Sequence, residues 1–388
     1  MSTVDSARKE RSGPSMGERI GMIAQDRGAQ LLVLVVALVV IMMTLSAAGV
    51  TISRVNSDYL ASALISFVPL ALLAIAQLFV ITSGKGGIDL SVGSMVSLSG
   101  MAFGISLVEW GWSVSAAAGF AVVVGILLGT INGFLTAYLG YPALITTLAT
   151  YYAYRSIALV VTDQKPISGP EIQGFYQSVA SIELPVIGGM LPLFPLGLFT
   201  FFLPVAVIAW LVLNRTAYGR KLYAIGTNDT AAQWAGVDTR RTRMTAFMIS
   251  GLLSGLVGVY TVAQFASARP DSGTAGAGMA LPAITIAVLG GVAITGGIGR
   301  LGSVALAALL ITWLNASILM LVPGNGGAQV QLLALGVVLL GASLLDGWMQ
   351  NRRKRGVVKP PTLTAAIALE GTENRDDEPR RRTSKEGR

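Results

Sequence analysis

The chain has 388 residues, 53% of them hydrophobic and only 12% charged, about half the ~25% charge of an ordinary soluble domain. It contains no cysteine and no histidine, which excludes disulfides and thiol chemistry and removes the commonest metal ligand and neutral-pH proton carrier. The net charge of +8 gathers at the ends of apolar runs, in one loop and in the terminal arms, a pattern that membrane topology explains without nucleic acid.

No charge occurs in residues 29–52, 60–84, 110–154, 184–214, 244–268, 272–299 or 301–345. Each run holds at least one span of roughly 20 residues, and two of them hold two. The runs lack the period-2 alternation of a barrel. The expected fold is an all-α polytopic membrane protein with about ten transmembrane helices and both termini cytoplasmic.

Residues 1–29 are polar and mixed in charge and read as a cytoplasmic N-terminal arm. The apolar run that follows starts too late and runs too long for a signal peptide; it is span 1, residues 31–50. Span 2 covers 60–82. Residues 84–94 come next on the inner side, with Gly84, Lys85, Gly86, Gly87, Asp89, Ser91, Gly93 and Ser94. A glycine cluster beside a lone carboxylate is costly against lipid, and irregular backbone is tolerated at membrane depth only where protein or a water-filled cavity covers it. This stretch therefore predicts a broken or re-entrant segment facing a pathway. Lys85 and Asp89, four residues apart, are expected to pair. Asp89 is expected to hold the loop and cap span 3, which runs to about residue 108.

Span 4 covers 113–139. Gly125, Gly129 and Gly133 recur every four residues on one helix face, a spacing that lets helix backbones approach closely. Span 5 covers 143–161. Residues 162–192 form an outer loop with Pro166, Pro170 and Pro185. Span 6 covers 193–213. The polar loop 214–243 carries Arg215, Arg220, Lys221, Arg240, Arg241 and Arg243 against Asp229 and Asp238, and the positive-inside rule makes it cytoplasmic. Within it, residues 229–235 predict a short helix with Asn228 or Asp229 at its cap and Gly236 at its end. A topogenic charged loop and a docking helix for a partner both fit.

Span 7 covers 245–267, with Gly251, Gly255 and Gly258 as a second close-packing set. Residues 269–278 read as outer loop, 281–295 as span 8, 296–300 as a tight inner turn, 301–321 as span 9 and 330–348 as span 10. Arg352, Arg353, Lys354 and Arg355 follow at once and mark the cytoplasmic side. The transmembrane domain is thus 30–350, and 351–388 is a basic tail of disordered composition. An echo links residues 69–94 to 282–303, each with Pro, then Ile-Thr, Gly-Gly-Ile and Gly-Ser. Paired Gly-interrupted segments mark transport sites, but both copies fall on the cytoplasmic side, and chance similarity between apolar helices explains the echo as well.

Gly84-Lys85-Gly86-Gly87 is not a nucleotide-binding loop, since the G-x-x-x-x-G-K-[ST] order is missing. Coupled carriers place Asp, Glu or His inside spans; here Asp89, Glu109 and Asp346 stand at span ends. What remains is a pathway protein driven by something else, and not an enzyme. Polar residues on spans that suit an uncharged hydroxylated solute are Gln77, Asn132, Thr146, Thr147 and Asn315, for each of which helix packing is the competing reading.

The run from Gly86 to Ser94 closely resembles the signature of ribose/xylose/arabinose-type permeases of bacterial importers driven by ATP-binding-cassette subunits. The segment from Arg215 to Asn228, continuing through Ala231, Ala232 and Gly236, looks like the region where those permeases engage their ATPase. Residues 142–149 and 296–299 also fit. The resemblance covers 60–345. It departs at Met279-Ala280, where the family has an aromatic followed by an acidic residue. It implies a permease in the bacterial cytoplasmic (inner) membrane forming the pathway for a monosaccharide. It also implies a cytoplasmic ATP-binding subunit, a periplasmic or lipid-anchored sugar-binding protein and a second permease copy, identical or not. The position of Gly86, Gly87, Asp89, Ser91, Gly93 and Ser94 at the cytoplasmic end of span 3 makes them the expected gate or hinge, and the resemblance further implies ATPase docking at Gly219, Arg220, Asn228, Ala231, Ala232 and Gly236. No cofactor is expected in this chain, ATP and magnesium belonging to the partner. It does not separate a sugar from a polyol or autoinducer-2. The alternative is a stand-alone sugar facilitator or secondary carrier.

Overall fold

The computed structural model describes residues 26–176, 181–182, 194–275 and 278–356. The expected N-terminal arm up to residue 25, residues 177–180 and 183–192 of the expected outer loop, residue 193 of expected span 6, residues 276–277 of the next expected outer loop, and the tail from 357 lie outside the described residues. The chain divides into two units, Met1–Ser343 and Leu344–Arg388. The described part of the second is the end of one helix, up to Gly356.

The uncharged runs fold as helices, with polar residues starting them. Asp26 caps α1 (Arg27–Ala47) by accepting from the Ala29 N–H, and Asn56 caps α2 (Ser57–Thr82) through Tyr59. Such caps satisfy N–H groups that a helix leaves orphaned. α3 (Val92–Gly104) continues as a π-helical turn, Ile105–Glu109. α4 (Val114–Ala137) starts at the Ser113 cap, and α5 (Ala143–Val160) follows Pro142. α6 (Pro170–Tyr176) is short. A two-residue antiparallel ladder pairs β1 (Ser181–Ile182) with β2 (Phe194–Pro195). A π-helical turn, Leu198–Phe202, leads into α7 (Leu203–Arg215). α8 (Ala217–Thr227) and α9 (Asp229–Trp234) occupy the predicted cytoplasmic loop. α10 (Thr239–Phe265), α11 (Ala280–Leu289), α12 (Leu301–Leu321) and α13 (Asn325–Gly356) complete the order.

Eight helices among the described residues are long and apolar enough to cross a membrane, and the protein is an all-α, multi-pass membrane protein. The two other expected spans are α5 and α11. α5 carries Tyr151, Tyr152, Tyr154 and Arg155, which dilute its apolar content. α11 corrects the expectation of a span over 281–295. It has 10 residues, roughly 15 Å of rise, or half of the ~30 Å hydrocarbon core. The chain then turns through Gly291, Gly296 and Gly297, all at positive φ.

Two segments are re-entrant. After α2 ends, the chain reverses at Gly84, Lys85 and Gly86, all at positive φ. The Gln77 side chain then binds both the carbonyl and the N–H of Asp89, so residue 89 lies level with residue 77 and α3 begins inside the helix layer. The second is residues 269–275, described residues of the segment 269–278 expected as outer loop. Ala268 packs beside Gly104, whereas Gly273 lies against Gly93, eleven residues or roughly 16 Å further along α3. Ser97 Oγ accepts from the Gly273 N–H at 3.0 Å, and α11 starts beside Gly93. The segment is therefore an inward excursion, and two helix N-termini meet within the bundle.

α10 is the central rod. Lipid is as apolar as leucine, so close packing rather than dehydration holds such helices together. On one face of α10, Gly251 and Gly255 lie against Gly125 and Gly129 of α4. A Cβ at Gly129 would overlap the Phe247 carbonyl and sit 2.9 Å from the Gly251 Cα. Gly133 meets the Met244 backbone, and Gly258 packs on Val96 and Gly100 of α3. Both glycine sets act as the packing surfaces their spacing predicts.

Candidate functional site

Of the expected gate residues, Asp89 is 0% exposed and meets Ser91, while Gly93 packs on Gly273, Ser94 donates to the Ser91 carbonyl and Gly86 is exposed. The Asp89 Oδ1 accepts from the Ser91 N–H at 3.0 Å and the Ser91 hydroxyl at 2.7 Å; its Oδ2 accepts from the Ser250 hydroxyl at 2.8 Å. All three partners carry a hydrogen to donate to a carboxylate oxygen. Burying a charge is expensive unless hydrogen bonds replace its water, and this network supplies them from α10 and the loop. Asn132 of α4 donates to Ser91 Oγ at 2.7 Å. Tyr154 of α5 donates to the Leu128 carbonyl and reaches Asn132 Oδ1 at 3.4 Å. Thr147 donates to the Ile88 and Ala143 carbonyls.

Gln77, Asn132 and Thr147, expected on a pathway, thus converge, but on one another and on the loop, each 0% exposed. Thr146 is also buried, and its hydroxyl has no partner among the described residues. Asn315 lies apart on α12, where its carbonyl accepts from Gln331. Lys85 does not pair with Asp89. The left-handed turn at Lys85, φ 54°, sends its side chain outward while Asp89 turns into the core. Ser91, not Asp89, stands at the N-cap of α3, without a side-chain cap bond.

Below this network three glycine turns touch. A Cβ on Gly226 would overlap the Thr82 carbonyl and the Gly297 N, and one on Gly296 would overlap the Gly84 backbone. The Gly297 N–H donates to the Thr82 carbonyl at 3.0 Å. These contacts join the end of α8 to the re-entrant loop and to the turn before α12. Tyr223 of α8 donates to the Gly299 carbonyl at 2.8 Å, and Tyr218 reaches the Thr242 carbonyl at 3.4 Å. Burial pushes both phenols up, so they remain protonated donors at neutral pH.

The expected docking residues lie on this α8–α9 unit. Gly219 is buried where a side chain would overlap the Leu213 carbonyl. Arg220 is exposed. Asn228 caps α9 through the Ala231 N–H at 3.0 Å, and Ala232 anchors α9 in the core. Gly236, φ 80°, ends α9. The Gly236 N–H bonds the Gln233 carbonyl and the Val237 N–H the Ala232 carbonyl, the pairing of a Schellman cap. Trp234, at 87% exposed, projects from α9.

Asp229, the first residue of α9, joins the two levels. Its Oδ2 lies 2.6 Å from Lys85 Nζ and its Oδ1 2.7 Å from Arg243 Nη2. Burial alone would raise its pKa; the hydrogen bonds and charges of Lys85 and Arg243 outweigh that and hold the carboxyl below its usual range. Arg243 also donates to the Ser83 carbonyl at 3.2 Å. Sequence reasoning missed the roles of Asp229, Arg243, Ser250 and Tyr154. The one available signal was the seven-residue step from Arg243 to Ser250, which places both on one face of α10.

The apolar groove lined by Leu60, Leu64, Phe67, Phe202, Leu309 and Trp313 presents almost no polar surface and does not suit a hydroxylated solute.

Comparison with known proteins gives consistent matches. Residues 59–345 match the family described as branched-chain amino acid transport system / permease component. The chain is 34% identical over 281 residues to the autoinducer 2 import system permease protein LsrD of Klebsiella pneumoniae subsp. pneumoniae, covering 72% of this chain and 81% of that protein. It is 36% identical to the corresponding LsrC of an Enterobacter species, covering 74% and 78%. It is 33% identical to the ribose import permease protein RbsC of Haemophilus influenzae, covering 73% and 83%. No solved structure matches.

Proposed function

We propose, because this chain belongs to the permease-component family of branched-chain amino acid transport systems, that it is the membrane subunit of an ATP-driven importer in a bacterial inner membrane. In this reading a separate cytoplasmic subunit hydrolyses ATP, a binding protein delivers the solute outside, and a second permease copy completes the pathway. Both termini lie in the cytoplasm. The chain itself performs no chemistry.

One observation carries the reading: α9 is capped at both ends, anchored through Ala232, tied to the loop between α2 and α3, and left with a bare Trp234. An exposed tryptophan on a rigid helix is the kind of anchor that dominates protein interfaces. The solute class follows from the relatives, which import ribose and autoinducer 2. Both names point to a small, uncharged, hydroxylated molecule, and we assign this chain a monosaccharide or a molecule of similar size and polarity.

Two measurements test this. The binding protein that works with this permease is titrated calorimetrically against pentoses, hexoses, polyols and autoinducer-2; binding of amino acids alone would overturn the solute class. The permease with Trp234→Ala is purified with its ATPase. Removal of a hot-spot tryptophan is expected to weaken association by on the order of 30-fold, or about 2 kcal/mol, with no loss of folded permease. Uptake by this chain alone in proteoliposomes, without ATPase or ATP, would establish the facilitator alternative instead.

A further inference from the structure

We propose that Asp229 is the positioning residue through which movement of the docking helix α9 reaches the buried re-entrant loop 83–91. The inference rests on the importer reading above and adds a route within this chain.

The route is short. Asp229 opens α9, and its two carboxylate oxygens hold two different partners. Oδ2 meets Lys85 of the re-entrant loop at 2.6 Å; Oδ1 meets Arg243 of α10 at 2.7 Å. Arg243 also holds the carbonyl of Ser83, the residue where the loop begins, at 3.2 Å. Two turns further along α10, roughly 10 Å, the Ser250 hydroxyl holds Asp89 at 2.8 Å. α10 therefore grips the loop at both ends, and Asp229 fastens α9 to both the loop and the rod.

The chemistry suits a moving link. The Lys85 side chain is 62% exposed, and exposed pairs contribute little net stability, so that half can break and reform within a cycle. The Arg243 side chain is only 5% exposed, and its Nε has no partner among the described residues. Separating such a guanidinium from its carboxylate leaves a buried charge uncompensated, which is strongly unfavourable. Asp229 therefore stays with Arg243, and a displacement of α9 is passed to α10 and the loop rather than absorbed by slippage.

The absence of cysteine makes a direct test available. Ile88→Cys places the only thiol of this chain on the re-entrant loop, at a partly buried residue. The permease is assembled with its ATPase, and maleimide labelling is timed without nucleotide and with ATP plus vanadate. We expect the labelling rate of Ile88→Cys to change between the two states by roughly fivefold or more, the lower end of typical coupling factors. Adding Asp229→Asn, or separately Lys85→Met, is expected to reduce that change to less than about twofold while the ATPase still co-purifies, and Asp229→Glu is expected to restore it. Lys85→Met alters an exposed side chain and keeps the test valid if Asp229→Asn does not assemble. A nucleotide response unaltered by Lys85→Met or Asp229→Asn overturns the proposal, as does a loop thiol indifferent to nucleotide in the Ile88→Cys parent. Loss of ATPase binding in Asp229→Asn with an unaltered response in Lys85→Met also overturns it, making Asp229 a docking contact only. Failure of the parent to bind any ATPase would instead sink the importer reading.

Discussion

Two aspartates, held by α10 residues seven positions apart, Ser250 and Arg243, are treated in opposite ways. Asp89 is enclosed and held only by neutral donors, Ser91 and Ser250. Asp229 is partly open to water and held by two cations. Neutral donors in a dry interior form a fixed arrangement, because each broken bond leaves an unsatisfied polar group with no water to replace it. The Lys85 pair, at a wet margin, breaks and reforms at small cost, while the buried Arg243 keeps its hold on Asp229. The upper region has the chemistry of a fixed joint, and the lower one the chemistry of a joint that moves.

The largest effect that separates the two regions is expected from Asp89→Ala. It leaves the Ser91 N–H, the Ser91 hydroxyl and the Ser250 hydroxyl without their acceptor, at a cost of about 3 kcal/mol or more. A marked fall in the detergent unfolding midpoint is expected, with solute preference unchanged in whatever protein survives. A variant as stable as its parent with an altered preference would make Asp89 a solute ligand. Gly226→Val comes next. Its side chain must overlap backbone at Thr82 and Gly297, and overpacking of this kind costs on the order of 2–3 kcal/mol. Limited proteolysis should open the chain between residues 228 and 243 while leaving the transmembrane helices protected; protection equal to the parent would dissolve the three-turn junction. Ser250→Ala removes one of three donors and should cost about 1 kcal/mol, a modest shift in the same unfolding midpoint. A cost as large as that of Asp89→Ala would mean that Ser250 alone carries the network.

The smallest effect is that of pH on the lower joint. The Asp229 carboxyl is held below its ordinary value by Lys85 and Arg243, so its contribution is present in full above about pH 4 and is lost as pH falls through the lowered value. Protease protection of residues 228–243 should therefore hold from neutral pH to about pH 4 and decline below it, with Asp229→Asn flat over that window. Loss of protection between pH 7 and 5 in the parent would show that another group governs the joint.

The helices were legible because charge exclusion is a one-dimensional property. The first residues of α2, α4 and α12 fall within a few positions of the edges of uncharged runs. The early end of α11 was not legible, since Val292, Ala293 and Ile294 continue the apolar run while the backbone turns. The turn is satisfied by a bond from the Ala293 N–H to the Ile298 carbonyl and by the Gly297 bond to Thr82, neither of which hydropathy records. The excursion at 269–275 was hidden for the same reason. The site was legible in part. The Gly86–Ser94 motif and the polar residues Gln77, Asn132 and Thr147 do meet. Their meeting depends on contacts as distant in sequence as Ser250, and the partner of Lys85 is set by a left-handed turn that spacing alone does not reveal.

The glycine crossing of α4 and α10 also bears on how the protein is made. About a hundred residues separate the end of α4 from the start of α10, and at roughly 5–20 residues per second their synthesis takes roughly 5–20 s. Through that interval Gly125, Gly129 and Gly133 have no α10 to close against. Membrane insertion of α4 and its final docking are therefore separate events in biogenesis. A bulkier residue on that face would pass the first and fail the second, leaving a chain correctly threaded through the membrane that never closes.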